Sequence, residues 1–97
     1  MADELRFDWD EANISHIHRH QVTLEEADQA LRNDPFDLHY DTIEGEERWT
    51  VIGHADNLRV LLVVWTLRGE DVVRVVTARQ ASKTASLTYV REKGLGL

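Results

Sequence analysis

Apolar and polar residues recur with two different periods along this chain, and the change of period divides it. In the first third the period is helical. Trp9, Asn13, Ile17 and His20 share one face, and Leu24, Ala27, Asp28 and Leu31 share another after a break at Gln21-Val22. Asp8 with Glu11 reads as a D-x-x-E capping box for a helix running to about His20, and Thr23 with Glu26 reads as a T-x-x-E box for the next. Asn33-Asp34-Pro35 stops that second helix, because proline pushes the residue before it out of the helical region.

Beyond Pro35 the period shortens to two. Residues 36–40 alternate weakly and predict a short strand, whereas 42–47 are polar and acidic and predict an exposed loop. Residues 48–53 predict a strand and 54–57 a turn. Residues 58–67 are β-prone and apolar on both faces, as a central strand must be. Arg68-Gly69-Glu70-Asp71 predicts a hairpin turn, and 72–78 its antiparallel partner. A last helix is expected over 82–93, closed by Gly94. The order α-α-β-β-β-β-α predicts an α+β domain spanning residues 1–97, with a small antiparallel sheet of three to four strands, two amino-terminal helices and one carboxy-terminal helix.

Composition narrows the function classes. Ninety-seven residues suffice for one modest core. The chain has no cysteine, which removes disulfides and thiolate metal sites. The longest apolar run, 60–65, is far too short to span a bilayer. No charged, apolar, then small-residue leader is present at the amino terminus, so a cytoplasmic protein without a membrane partner is expected. The net charge of −7 is divided unevenly: residues 1–47 carry fourteen acids and three bases (−11), and residues 48–97 carry four acids and eight bases (+4). That balance opposes loose binding of polyanions but leaves room for a local basic face, while the acidic half suits a basic partner.

His16, His18 and His20 form the most visible cluster. An i, i+4 histidine pair can chelate a metal, but no third ligand is evident, so no metal or other cofactor is expected. Histidines at a helix end also complement its dipole. His20 shares its face with Ile17 and Asn13, which predicts a partly buried, hydrogen-bonded imidazole, or more sharply a general acid or base. Arg48, Arg68, Arg74 and Arg79 lie in or at the ends of strands. They read either as surface charges paired with Glu47, Glu70 or Asp71, or as a phosphate-binding cluster. Trp9, Trp49 and Trp65 sit in apolar periodicity and read as packing residues rather than stacking platforms.

FDWDEAN at 7–13, HIHRHQVTLEEA at 16–27, Asp34-Pro35, EERWTVIG at 46–53, LLVVWTLRG at 61–69, RVVTARQAS at 74–82 and Tyr89 together resemble the BrnT-like toxin family over nearly the whole chain. The resemblance implies a RelE-like fold and a ribonuclease toxin of a type II toxin–antitoxin pair, acting on mRNA without a metal. The implied partner is a small ribbon-helix-helix antitoxin of the BrnA kind, and operator DNA is reached only through it. By position, the implied catalytic set is His20, Glu47, Arg48, Arg68 and Arg79, with Thr66 preceding Arg68 in a T-x-R motif. Two positions depart from the family pattern. His20-Gln21 stands where many members have His-Gly, and Ala85-Ser86 where they have Glu and a basic residue. The alternative implied by the second departure is a weakened or inactive toxin fold kept for partner binding and operon control.

Overall fold

The computed structural model describes residues 6–94. Its elements are β1 (Arg6–Phe7), α1 (Glu11–Arg19), α2 (Leu24–Arg32), β2 (Phe36–Ile43), β3 (Glu46–His54), β4 (Val60–Arg68), β5 (Val72–Gln80) and α3 (Lys83–Lys93). The strands form one sheet in the order β1-β5-β4-β3-β2. The α+β class is as expected. The sheet, however, is five-stranded and mixed, not a three- to four-stranded antiparallel one, because β1 pairs parallel to β5. Two residues carry no readable alternation, so β1 left no mark in the sequence pattern.

β4 occupies the middle of the sheet, as its two-sided apolar run requires. The expected acidic loop at 42–47 is instead the end of a hairpin. Ile43 pairs with Glu46, leaving Glu44 and Gly45 as a two-residue turn. Both have positive φ, 53° and 82°, the geometry whose twist matches paired strands. The first helix starts later than its sequence signal. Asp10, not Asp8, is its N-cap, with Asn13 closing the reciprocal box. Asp8 instead continues the β1 pairing, its N–H donating to Val73 O at 2.9 Å. Thr23 and Glu26 cap α2 as expected. Gln21 takes the left-handed conformation at φ 63°, the geometry for which glycine is the ordinary residue.

Directly opposed residues in a ladder share a face. Val51, Val63 and Ala78 therefore lie on one face, where they join Ile17, Val22, Ala27, Ala30 and Leu31 in the core. Gly53 lies on that face too, and a β-carbon there would meet the backbone oxygen of Ala30 at 2.2 Å. This close approach of α2 to β3 fixes how the helical layer sits. α1 runs beside β5, where Asn13 Nδ2 donates to Val75 O at 3.2 Å and satisfies a carbonyl of that strand. α3 lies over the other face at its Ile52 end. There the buried Tyr89 hydroxyl meets His54 Nδ1 at 2.8 Å and the carbonyl of Asn33 at 3.3 Å. Burial, with the Asp34 charge nearby, pushes the Tyr89 hydroxyl above its ordinary pKa, so it stays neutral and able to donate.

Glu26 joins the α2 cap to the turn before β4. It accepts from Thr23 N–H at 3.0 Å, Arg59 Nη1 at 2.9 Å and Asn57 Nδ2 at 3.1 Å. Burial pushes its carboxyl up, but these donors outweigh it and hold the pKa below 4.5. A depressed carboxylate contributes stability that is fully present above its unfolded value and is lost as pH falls through the folded one. Glu26→Gln keeps a capping side chain but loses the charge. It is expected to cost about 1 kcal/mol at pH 7 and almost nothing once wild-type Glu26 is protonated. Denaturant melts of both proteins over a falling pH series from 7 check this; a difference that does not shrink as the pH falls refutes it.

Candidate functional site

The second sheet face carries the arginines. Thr66 opposes Arg74, Val64 opposes Thr77, and Leu62 opposes Arg79. Arg74 and Arg79 are five residues apart and would sit on opposite faces under strict alternation. The ladder shifts register between Val64 and Trp65, so that Thr77 and Val75 are paired and Val76 is extra. This one-residue bulge returns Arg79 to the face of Arg74.

Arg48, Arg68 and Arg74 line one hollow of about 210 Å³ with Asn13, Glu46 and Thr66. The floor is fixed by the buried Thr66, whose hydroxyl donates to Glu47 O at 2.6 Å. Arg48 Nε is 2.9 Å from a Glu46 carboxylate oxygen. Arg74 is held by Asp8 at 3.4 Å and Asp10 at 3.0 Å. The Asn13 N–H, with Arg74 beside it, keeps the Asp10 carboxyl below its ordinary pKa. Arg68 and Arg79 differ from these two: both are exposed and have no ion-pair partner among the described residues.

Arg79 does not reach the first hollow. It lines a second, of about 370 Å³, with Leu62, Ser82 and Ala85 at the start of α3. Four residues of β4 separate its row from that of Arg74, roughly 13 Å at strand rise. The two arginine groups thus share a face but occupy its two ends. Between them stands Thr77, whose Oγ1 is 3.1 Å from His16 Nε2.

The other sequence candidates separate. Glu47 is one residue from Arg48 and points to the opposite face, where it accepts from Tyr40 Oη at 2.6 Å. Glu46 is the acid on the arginine side. His20 is exposed and meets the half-buried His16 edge-on, with ring centroids 5.4 Å apart. The burial and hydrogen bond expected for His20 belong to His16. Its signal was present, since Asn13 and His16 are one helical step apart. No group of three or more potential metal-ligating side chains occurs among the described residues. Ser82 caps α3 through Ala85 N–H at 3.1 Å, but Ala85 returns no bond, so this box is half complete. No helix among the described residues is long and apolar enough to cross a membrane.

No curated protein matches the chain by sequence. Residues 9–84, which run from Trp9 just after β1 into the first turn of α3 and include every arginine of this face, match the family described as "Ribonuclease toxin, BrnT, of type II toxin-antitoxin system", and the chain belongs to that family.

Proposed function

We propose that the arginine face binds the backbone of a single RNA strand and that this chain cleaves mRNA without a metal. The observation that carries this reading is the pair of exposed guanidinium groups, Arg68 and Arg79, without an ion-pair partner among the described residues, at the two ends of one sheet face. Arginine presents a planar fork of donors that matches a phosphate and stays charged at any working pH. Arg48 and Arg74, already fixed by carboxylates, set the shape and field of the hollow around Arg68.

The scissile phosphate would lie between these ends, beside Thr77. The ribose 2′-oxygen attacks phosphorus as a base removes its proton. The P–O5′ bond breaks as an acid protonates the leaving oxygen, giving a 2′,3′-cyclic phosphate and a 5′-hydroxyl. The imidazoles of His16 and His20 suit both transfers, since a histidine ring can accept a proton at one nitrogen and donate one from the other. His16 is oriented by Thr77, and His20 stands edge-on to it, open to solvent. Arginine stabilises the added charge of the pentacoordinate state without a proton transfer. Glu47, on the far side of β3, takes no part in this arrangement. The cognate partner is a ribbon-helix-helix antitoxin, through which the complex reaches operator DNA. The helices around the sheet support the RelE-like reading.

One observation favours a second reading, a toxin fold that has lost its chemistry. Ala85 lines the Arg79 hollow where the family pattern has glutamate. A carboxylate there would complete the α3 box and stand beside Arg79. Purified chain, freed of its partner, is to be incubated with mRNA in excess chelator, alongside Ala85→Glu. Cleavage to cyclic-phosphate ends by the wild type supports the enzyme reading. Intact RNA with the wild type and cleavage with Ala85→Glu supports the second. Cleavage by the wild type that requires added divalent metal overturns the mechanism.

A further inference from the structure

β2 closes the sheet as an edge strand, paired only with β3 among the described residues. Its outward N–H and C=O groups are therefore open to a further strand. Exposed edges are ordinarily short or covered. This one is eight residues long and exposes Leu38, Tyr40 and Ile43. A bulge at Leu38 ends regular pairing on one side, leaving His39 to Ile43 as a continuous free edge.

Inward from that edge, Tyr40, Trp49 and Trp65 form a row across β2, β3 and β4, with ring centroids 5.5 and 4.5 Å apart. At the carboxy-terminal end of α2, the row borders an apolar hollow of about 100 Å³ lined by Leu31, Pro35, Asp37, Val51, Trp65 and Val73. Trp65 Nε1 is buried with no hydrogen-bond acceptor among the described residues. The charged groups on this side of β2 and β3 are acids. Asp37 and Glu47 share the face of the aromatic row, Glu44 stands in the turn at its end, and none of the three has an arginine or lysine partner among the described residues.

These features select the occupant. A second copy of the chain would bring two acidic edges together, and like charges directly opposed destabilise a strand pair. A basic segment meets no such penalty. Its main chain would satisfy the edge, and alternate apolar side chains would cover the aromatic row. We propose that the β2 edge and the Tyr40–Trp49–Trp65 row dock an extended, basic segment of the cognate antitoxin, which adds to the sheet as a sixth strand. This rests on the toxin reading above. It places the antitoxin against the face opposite the arginines, so that one wall of the same sheet takes the inhibitor and the other the RNA.

The test uses the purified chain and the cognate ribbon-helix-helix antitoxin proposed above. Association and dissociation rates are measured for wild type, for Asp37→Lys/Glu44→Lys, and for Tyr40→Ala. Folding is verified by circular dichroism, and amide exchange of β2 is followed free and bound. The charge-reversed variant is expected to associate about tenfold more slowly at low salt and to converge with wild type at high salt. Tyr40→Ala is expected to dissociate about tenfold faster. The β2 amides are expected to gain protection only in the complex. Tight binding with rates within about twofold of wild type for both variants overturns the docking site alone, because the antitoxin then sits elsewhere. Failure of wild type to bind its antitoxin at all overturns the toxin reading and this inference with it. β2 protection that rises with the concentration of free chain assigns the edge to a second copy and also overturns it.

Discussion

Gly53→Ala is expected to lower stability by about 3 kcal/mol, the upper part of the range for overpacking a close-packed core. For a domain of this size that is a fall in Tm of roughly 15 °C. The reason is the approach of α2 to β3. The added β-carbon would lie 2.2 Å from the Ala30 carbonyl oxygen and 2.9 Å from its carbon, both backbone atoms that no rotamer change can move. The helix must shift bodily, and α2 carries Ala27, Ala30 and Leu31 into the core. A second substitution separates this cause from simple crowding. Ala30→Gly removes only a side chain, so it is not expected to rescue Gly53→Ala. Thermal melts of the two single variants and the double variant decide it. A fall of less than about 3 °C for Gly53→Ala, or full rescue by Ala30→Gly, refutes the backbone clash.

Gly53 also shows why some of this molecule was legible in the sequence and some was not. Residues 48–53 read as a strand, but alternation alone cannot say that one of these positions meets a helix backbone. The long elements were readable because each carries one strong period or two caps. The two-sided run at 58–67 holds all but the last residue of the middle strand, β4, which starts two residues later at Val60, and Thr23–Glu26 caps α2. Three features escaped because their signals are local and weak. β1 is two residues long. The outer end of the β2–β3 hairpin stands clear of the core, so its strands are polar on both faces and read as loop. At the start of α1 two aspartates compete for the cap, and Asp8 loses because it is drawn into pairing with β5.

The arginine face was legible only in part. Residue types and strand ends pointed to Arg48, Arg68 and Arg79, but their grouping depends on register. Alternation counted from Arg74 puts Arg79 on the wrong face, and only the bulge at Val76 corrects it. The same parity separates Glu47 from Arg48, although the two are neighbours in sequence. No resemblance by motif resolves such a case, since a one-residue slip in a strand reverses every side chain. For His16 and His20 the helix itself gave the ambiguity, since i, i+4 spacing puts the two rings side by side and only His16 reaches β5.

Arg68→Ala and Arg79→Ala are each expected to reduce RNA cleavage by about 100-fold, and to leave stability within about 0.5 kcal/mol of wild type. The two expectations have one cause. Neither guanidinium has an ion-pair partner among the described residues, and both are exposed, so the folded chain loses nothing when they go. Whatever they contribute must come from a ligand. Arg74→Ala is the contrast. It leaves Asp8 and Asp10 without their cation, so it should lower stability as well as cleavage. Lysine at 68 or 79 keeps the charge but loses the fork, and is expected to recover only part of the activity. Because the two sites lie at opposite ends of one face, the double variant should lose the product of the single effects, as distant sites do. Single-turnover cleavage, salt dependence of RNA binding and denaturant melts on the same preparations give the answer. If Arg68→Ala and Arg79→Ala cleave within about twofold of wild type, the phosphate path does not run along this face. If both lose activity and stability together, the guanidinium groups are holding the fold and the reading of them as free phosphate-binding groups is wrong.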